Sequence, residues 1–439
     1  MSDGSVEKAE INPAEQVERD VLAALSRPGP KYLTAVAFCA LLSLTGLGLW
    51  GYQSVTGLGV AGISHPVGWG VYIANFVFWV GIAHSGTLIS AVLYLFRARF
   101  RTSFNRAAEA MTVIALTVAG LFPLIHLGRV WIFYYLLPYP SQRTIWPNFQ
   151  SPLVWDVFAV TTYMIVSLIF FYVGMLPDLA IGRRRLGGWG GKVYGALSLG
   201  WTGSQRQWRH YAKLYLFLAA FATPLVASVH SIVSWDFAIS IIPGWHTTIF
   251  APYFVAGAIF SGTAMVITLM IPMRHFFGLE DYITRDHFEA IAKILLFTSL
   301  IISFTYIVEF GLAFYSGHIF EIDQFLYRAT GHYKEMFWIM ILCNALIPLS
   351  LFFRRCRRNL PWLFVMAILV NIGMWVERFV IIVASLSRDF NPYAWGTYIP
   401  SYVEIGITMA SFGLFFLLFL IFVRTIPVLA ISEIKEHLQ

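Results

Sequence analysis

The sequence predicts an all-α integral membrane protein with about ten transmembrane helices, arranged as two four-helix bundles (spans 2–5 and 6–9) with flanking spans 1 and 10. Three observations carry this. The chain is 58% hydrophobic and only 12% charged, too little charge to cover a water-soluble domain of this length. Apolar runs recur from end to end, each near the roughly 20 residues a helix needs to cross a bilayer core. Lys and Arg gather in alternate loops, the pattern of segments retained on the inner side of a membrane. The runs are continuous rather than alternating, which selects helices over barrel strands.

In chain order the spans are expected at Tyr32–Tyr52, Trp69–Phe96, Ala107–Leu137, Leu153–Ile181, Tyr211–Trp235, Ile249–Met273, Phe288–Tyr315, Met336–Phe353, Trp362–Leu386 and Tyr402–Val423. The loops after spans two, four and eight contain Arg97-Ala98-Arg99-Phe100-Arg101, Arg183-Arg184-Arg185 and Arg354-Arg355-Cys356-Arg357-Arg358. Residues 54–68 and 237–248, in alternate loops, carry no Lys or Arg. The segments on the basic side hold 24 of the 30 Lys and Arg, so both termini are expected in the cytoplasm. This bias accounts for the formal charge of +7 without a nucleic-acid partner.

The organisation read from this pattern is a cytoplasmic polar tail (1–30), a first span with its outer loop (31–68), a first bundle (69–235), a second bundle (236–386), and a last span with a cytoplasmic C-terminus (387–439). The tail is too polar near its start for a signal peptide and is expected to be flexible or to dock on a neighbour. Cys39, Cys343 and Cys356 are isolated, so the chain offers no CxxC-based iron–sulfur or zinc site of its own.

An internal repeat supports the two-bundle plan. Gly81-Ile82-Ala83-His84-Ser85-Gly86-Thr87 in span two matches Gly257-Ala258-Ile259-Phe260-Ser261-Gly262-Thr263 in span six as G-x-x-x-S-G-T. Small residues at this spacing admit close helix approach and arise independently in membranes. Their place in corresponding spans, together with Ala108-Glu109-Ala110 and Phe288-Glu289-Ala290 at the starts of the following spans, favours duplication.

Ionisable residues inside a membrane are costly and mark candidate sites. His126 lies 19 residues after Ala107, roughly 28 Å up span three at 1.5 Å per residue and so near the outer interface. Arg129 follows three positions on, and so lies on the same face of the helix. Asp156 opens span four; His230 and Asp236 fall in the last turns of span five, and His246 in the next outer loop. A carboxylate and an imidazole at one depth can hydrogen-bond the hydroxyls of a quinol and accept their protons. An Arg can hold the head group, and Trp131, Phe133, Trp155 and Trp235 can pack on ring and tail. Each residue alone also reads as a helix-end charge or a hydrogen-bonded core histidine; it is their shared depth that favours a site. A second set, Tyr306, Glu309, Glu377 and Arg378, reads equally as a proton relay or as a buried ion pair that fixes packing. No span carries the paired histidines of a bundle haem.

His126-Leu127-Gly128-Arg129-Val130-Trp131, the loop Trp146-Pro147-Asn148-Phe149-Gln150-Ser151-Pro152-Leu153-Val154-Trp155-Asp156, and Gly174-Met175-Leu176-Pro177-Asp178-Leu179-Ala180 resemble the quinol-oxidising membrane subunit of bacterial alternative complex III. That subunit belongs to the NrfD-type family with the polysulfide reductase membrane subunit. The resemblance implies a bacterial inner-membrane protein with no metal or haem of its own. It implies a menaquinol or ubiquinol substrate bound near the periplasmic face, with His126 and Asp156 as the catalytic pair. Arg129 follows in the same motif, and His230 and Asp236 carry over more loosely. The implied partners are a periplasmic iron–sulfur subunit, multihaem and monohaem cytochrome c subunits, a second NrfD-type subunit, and a terminal oxidase or soluble carrier. Proton release or translocation would accompany electron transfer. A proton-coupled secondary transporter and a structural anchor for peripheral redox subunits are the competing classes. The gathering of charge at one outer edge, rather than at mid-membrane, favours the redox subunit.

Overall fold

The computed structural model describes residues 12–23, 25, 28–137, 149–185 and 187–438. Among the described residues all regular structure is helical, and ten helices are long and apolar enough to cross a membrane. They are Pro30–Thr56, Val71–Leu95, Asn105–His126, Pro152–Arg185, Gln205–Ala238, Phe250–Phe276, Arg285–Ser316, Lys334–Phe352, Leu360–Ala384 and Tyr402–Thr425, spans one to ten below. Local chemistry sets many of their starts. Proline, whose missing N–H is harmless in a first turn, opens spans one and four. Reciprocal caps open spans five and ten: Ser204 accepts from the Gln207 N–H and Ser401 from the Glu404 N–H, while each partner side chain reaches back to the cap backbone.

The third span is shorter than the apolar pattern suggests. It stops at His126, not near Leu137, because Gly128 adopts φ +68° and turns the chain. A separate 3₁₀ helix, Val130–Leu136, follows. The polar tail also departs from expectation. Its Pro13–Ala23 helix buries Val17 and Val21 against the chain's own basic end. There Glu18 accepts from Arg185 at 2.8 Å and from Lys435, and Asp20 accepts from the Tyr282 hydroxyl at 2.7 Å. The partners Arg185 and Lys435 hold the Glu18 carboxyl below its usual range against the opposing effect of burial.

Span two packs on spans three and six, and span six also packs on spans five, seven and nine. The repeat is therefore an interface, because its two copies meet. A side chain on Gly262 would strike the Ile82 carbonyl oxygen at 2.6 Å, and Ser85 Oγ donates to the Ile259 carbonyl at 2.6 Å. Spans one and ten pair at the periphery, with Gly46 against Ala410. Three helices carry one wide turn each, at Leu88–Val92, Leu342–Leu346 and Val380–Ala384. Such bulges leave the ordinary i→i−4 ladder. All three lie beside the buried polar groups described next.

Candidate functional site

At the end of the first bundle opposite the arginine-rich loops, Asp156 on span four and Asp236 on span five face each other. Asp156 is buried and Asp236 half-buried, and the two carboxyl groups are neighbours. Each keeps an Oδ1 with no hydrogen-bond partner. The residues one position earlier, Trp155 and Trp235, meet edge to face with ring centroids 6.0 Å apart. Trp155 Nε1 is fixed by donating to the Phe149 carbonyl at 2.6 Å. Aromatic walls thus stand beside the carboxyl pair.

His126 closes span three at this same end, with a buried Nδ1 that has no partner. Among the described residues no hydrogen bond joins it to Asp156 or Asp236. Arg129 does not share the helical face expected of it. The turn at Gly128 carries it off the helix, and it lies exposed with no ion pair among the described residues. Trp131 (63% exposed) and Phe133 are likewise on the surface of the Val130–Leu136 segment. His246 is exposed and bonds the Ser240 carbonyl. Trp146, Pro147 and Asn148 of the loop motif lie outside the described residues.

His230 is not part of this cluster. It sits six residues before Asp236, roughly 9 Å deeper along span five, and is fully buried with both ring nitrogens unpartnered. Its ring lies 4.7 Å from that of His84 and 5.8 Å from that of Phe254. His84 stacks on Tyr163 at 4.8 Å, and the Tyr163 hydroxyl contacts Thr87 Oγ1 at 2.6 Å. Sequence reasoning counted His84 only as a member of the small-residue repeat. The signal available was an imidazole in an otherwise apolar span.

From His230 the polar seam continues into the second bundle. The Arg378 guanidinium lies 4.4 Å over the Phe254 ring, and its Nη1 is 2.9 Å from Glu377 Oε1, angled off the line of a hydrogen bond. Glu377 Oε2 accepts from the Tyr306 hydroxyl and from Asn344 Nδ2 at 3.2 Å. Tyr306, Glu377 and Arg378 are thus brought together, joined by Asn344 from the bulge in span eight. Glu309 is buried with an unpartnered Oε1 and, among the described residues, has no hydrogen bond or ion pair to them. In the opposite direction, beyond Thr87, a void of about 10 Å³ is lined by Thr87, Ser90, Glu109, Thr112 and Ser167. Its size is near that of one water. Glu109 in turn accepts from the Tyr215 hydroxyl at 3.0 Å and pairs with Arg106, which also binds Asp178 at 2.7 Å. This Arg106–Glu109–Asp178 group went unnoticed in the sequence because its members lie on two spans. Among the described residues no group of three or more His, Cys, Asp or Glu is placed to hold a metal ion.

Comparison with known proteins agrees with this architecture. Residues 59–388 match the family described as "Polysulphide reductase, NrfD". The chain is 26% identical to a "Putative dimethyl sulfoxide reductase membrane subunit" of Halobacterium salinarum, over 93% of this chain and 94% of that protein. It is 21% identical to the "Hdr-like menaquinol oxidoreductase integral membrane subunit" of Archaeoglobus fulgidus, over 90% of this chain and 95% of that one. It is 22% identical to a selenate reductase subunit of Mesobacillus selenatarsenatis, over 90% and 94% respectively. With more than half its length inside the family match, and ten apolar helices to place it in a membrane, the chain belongs to the NrfD family.

Proposed function

We propose that the chain is the quinol-binding membrane subunit of a multi-subunit oxidoreductase, and that Asp156, Asp236 and His126 handle the head group. The observation that carries this reading is the neighbouring pair of buried Asp156 and half-buried Asp236, each with an unpartnered oxygen, flanked by Trp155 and Trp235, at the end of the bundle where His126 presents a free ring nitrogen. Oxidising a quinol to a quinone releases two electrons and two protons. A carboxylate and a neutral imidazole on either side of the ring each accept one hydroxyl proton. The electrons leave to an iron–sulfur subunit docked over the exposed Trp131 and Phe133, and from there to haem c subunits. The name of the Archaeoglobus relative, a menaquinol oxidoreductase subunit, supports menaquinol as the substrate. The Lys and Arg bias supports a periplasmic position for this end, and the Ser151–Asp156 motif supports an assembly of the alternative complex III type.

The seam from His84 and His230 through Arg378 to Glu377 and Tyr306 is proposed to move protons between the bundles, with Glu309 as a further station. Its closely spaced buried ionisable side chains, bridged by the Phe254 ring between His230 and Arg378, support that role. The discriminating experiment is to purify the assembled complex and extract it with organic solvent. A near-stoichiometric quinone is expected. A preparation that neither retains nor turns over quinone would remove this reading and leave the transporter and anchor classes.

A further inference from the structure

At the arginine-rich end of the first bundle a cavity of about 1310 Å³ opens between the ends of spans two, four and five and the C-terminal Ile431–Leu438 helix. Six cations line it (Arg97, Arg101, Arg183, Arg184, Arg209 and Lys435) against one carboxylate, Glu433. Arg97, Arg184 and Arg209 are exposed and make no ion pair among the described residues. Arg101 is only 6% exposed. Its Nη2 binds Glu433 at 2.8 Å, but its Nη1 is buried without a hydrogen-bond partner. The guanidinium also lies 4.6 Å over the Tyr94 ring, which leaves the buried Nη1 without an oxygen acceptor that an anion would supply. Pro177, Ala180 and Ile181 form an apolar part of the wall, and Trp201 and Trp208 stand at the rim.

We propose that this cavity binds the phosphate head group of an anionic membrane phospholipid. Phosphodiester chemistry suits the cations, since guanidinium groups pair with phosphate through two parallel hydrogen bonds. The choice of lipid over free phosphate rests on three features. The cavity lies where span ends meet the head-group layer, as the rim tryptophans indicate. It is far larger than one inorganic anion. Its apolar wall gives the first carbons of an acyl chain something to pack on. Basic pockets between spans on the inner side are a recognised setting for such lipids.

The test uses the assembled complex, depleted of lipid by detergent exchange. Native mass spectrometry and thermal unfolding are then read with added phosphatidylglycerol, phosphatidylcholine or inorganic phosphate at equal phosphorus. Phosphatidylglycerol alone is expected to stay bound at one per chain and to raise the unfolding temperature. The double variant Arg184→Gln/Arg209→Gln changes two exposed residues that make no ion pair among the described residues, so it is expected to fold. It should bind phosphatidylglycerol about ten- to thirtyfold more weakly. Arg101→Gln, if it assembles, should do the same. Equal retention of phosphatidylcholine, unchanged binding by the double variant, or a full effect from inorganic phosphate alone would each overturn the proposal.

Discussion

Replacing Gly262 by alanine tests how closely the two copies of the repeat approach. The added methyl would lie 2.6 Å from the Ile82 carbonyl oxygen, 2.6 Å from Ser85 Cβ and 2.8 Å from Ser85 Oγ. Ordinary contact needs about 3.5 Å, so spans two and six must part by about 1 Å at this point. That displacement also stretches the 2.6 Å hydrogen bond from Ser85 to the Ile259 carbonyl beyond useful range. Overpacking of this kind costs about 1–3 kcal/mol, and a lost interhelical hydrogen bond in a membrane costs about 0.6 kcal/mol more. Gly262→Ala should therefore destabilise the chain by about 2–4 kcal/mol in reversible unfolding from mixed micelles. Gly51→Ala is the control, because nothing lies within 4 Å of a side chain there. It should stay within about 0.5 kcal/mol of the parent. If Gly262→Ala is as stable as Gly51→Ala, the two spans do not meet as described.

Further outcomes follow from the same geometry. Cys356, partly exposed in the basic loop after span eight, should react in intact cells only with membrane-permeant reagents. A cysteine placed in the Ser141–Ser151 loop of a chain lacking native cysteines should react with impermeant ones; labelling of both from one side would contradict the proposed orientation. Glu377→Gln leaves the buried Arg378 without a counter-charge, and breaking such a pair costs about 3–5 kcal/mol. It should also lower the proton-to-electron ratio in vesicles more than quinol turnover. An unchanged ratio would leave the ion pair a purely structural role. The chain purified away from its partners should contain no stoichiometric iron by metal analysis.

Much of the fold is legible in sequence because a bilayer imposes one rule on every span: apolar length. Cap motifs such as Ser401-x-x-Glu404 then fix individual ends. The end of span three was hidden because apolar residues run on through Ile132 and Leu137, whereas the stop is a backbone event at Gly128. The Ile319–Thr330 helix escaped notice because it is too short and too amphipathic to read as a span. Site residue types were legible and their partnerships were not. Asp156 and Asp236 are each conspicuous, but nothing local says that residues on different spans face each other. His230 looked like a companion of Asp236 in sequence. Helical rise instead puts it deeper, against His84, whose imidazole was masked by the small residues around it.

Asp156→Asn tests the central claim most directly. The amide keeps the side chain's shape and its contact with Asp236 but cannot take up a proton. His126→Ala, at the same end of the bundle, should weaken quinol binding as well. The measurement is steady-state quinol oxidation by the fully assembled complex, with haem and iron content first matched to the parent. Loss of one general base lowers the rate by about 10²–10⁴, and a fall of that size in the Asp156→Asn complex is the expected result. A normally assembled Asp156→Asn complex that oxidises quinol at the parental rate would contradict the account and reduce Asp156 to a buried helix-end charge.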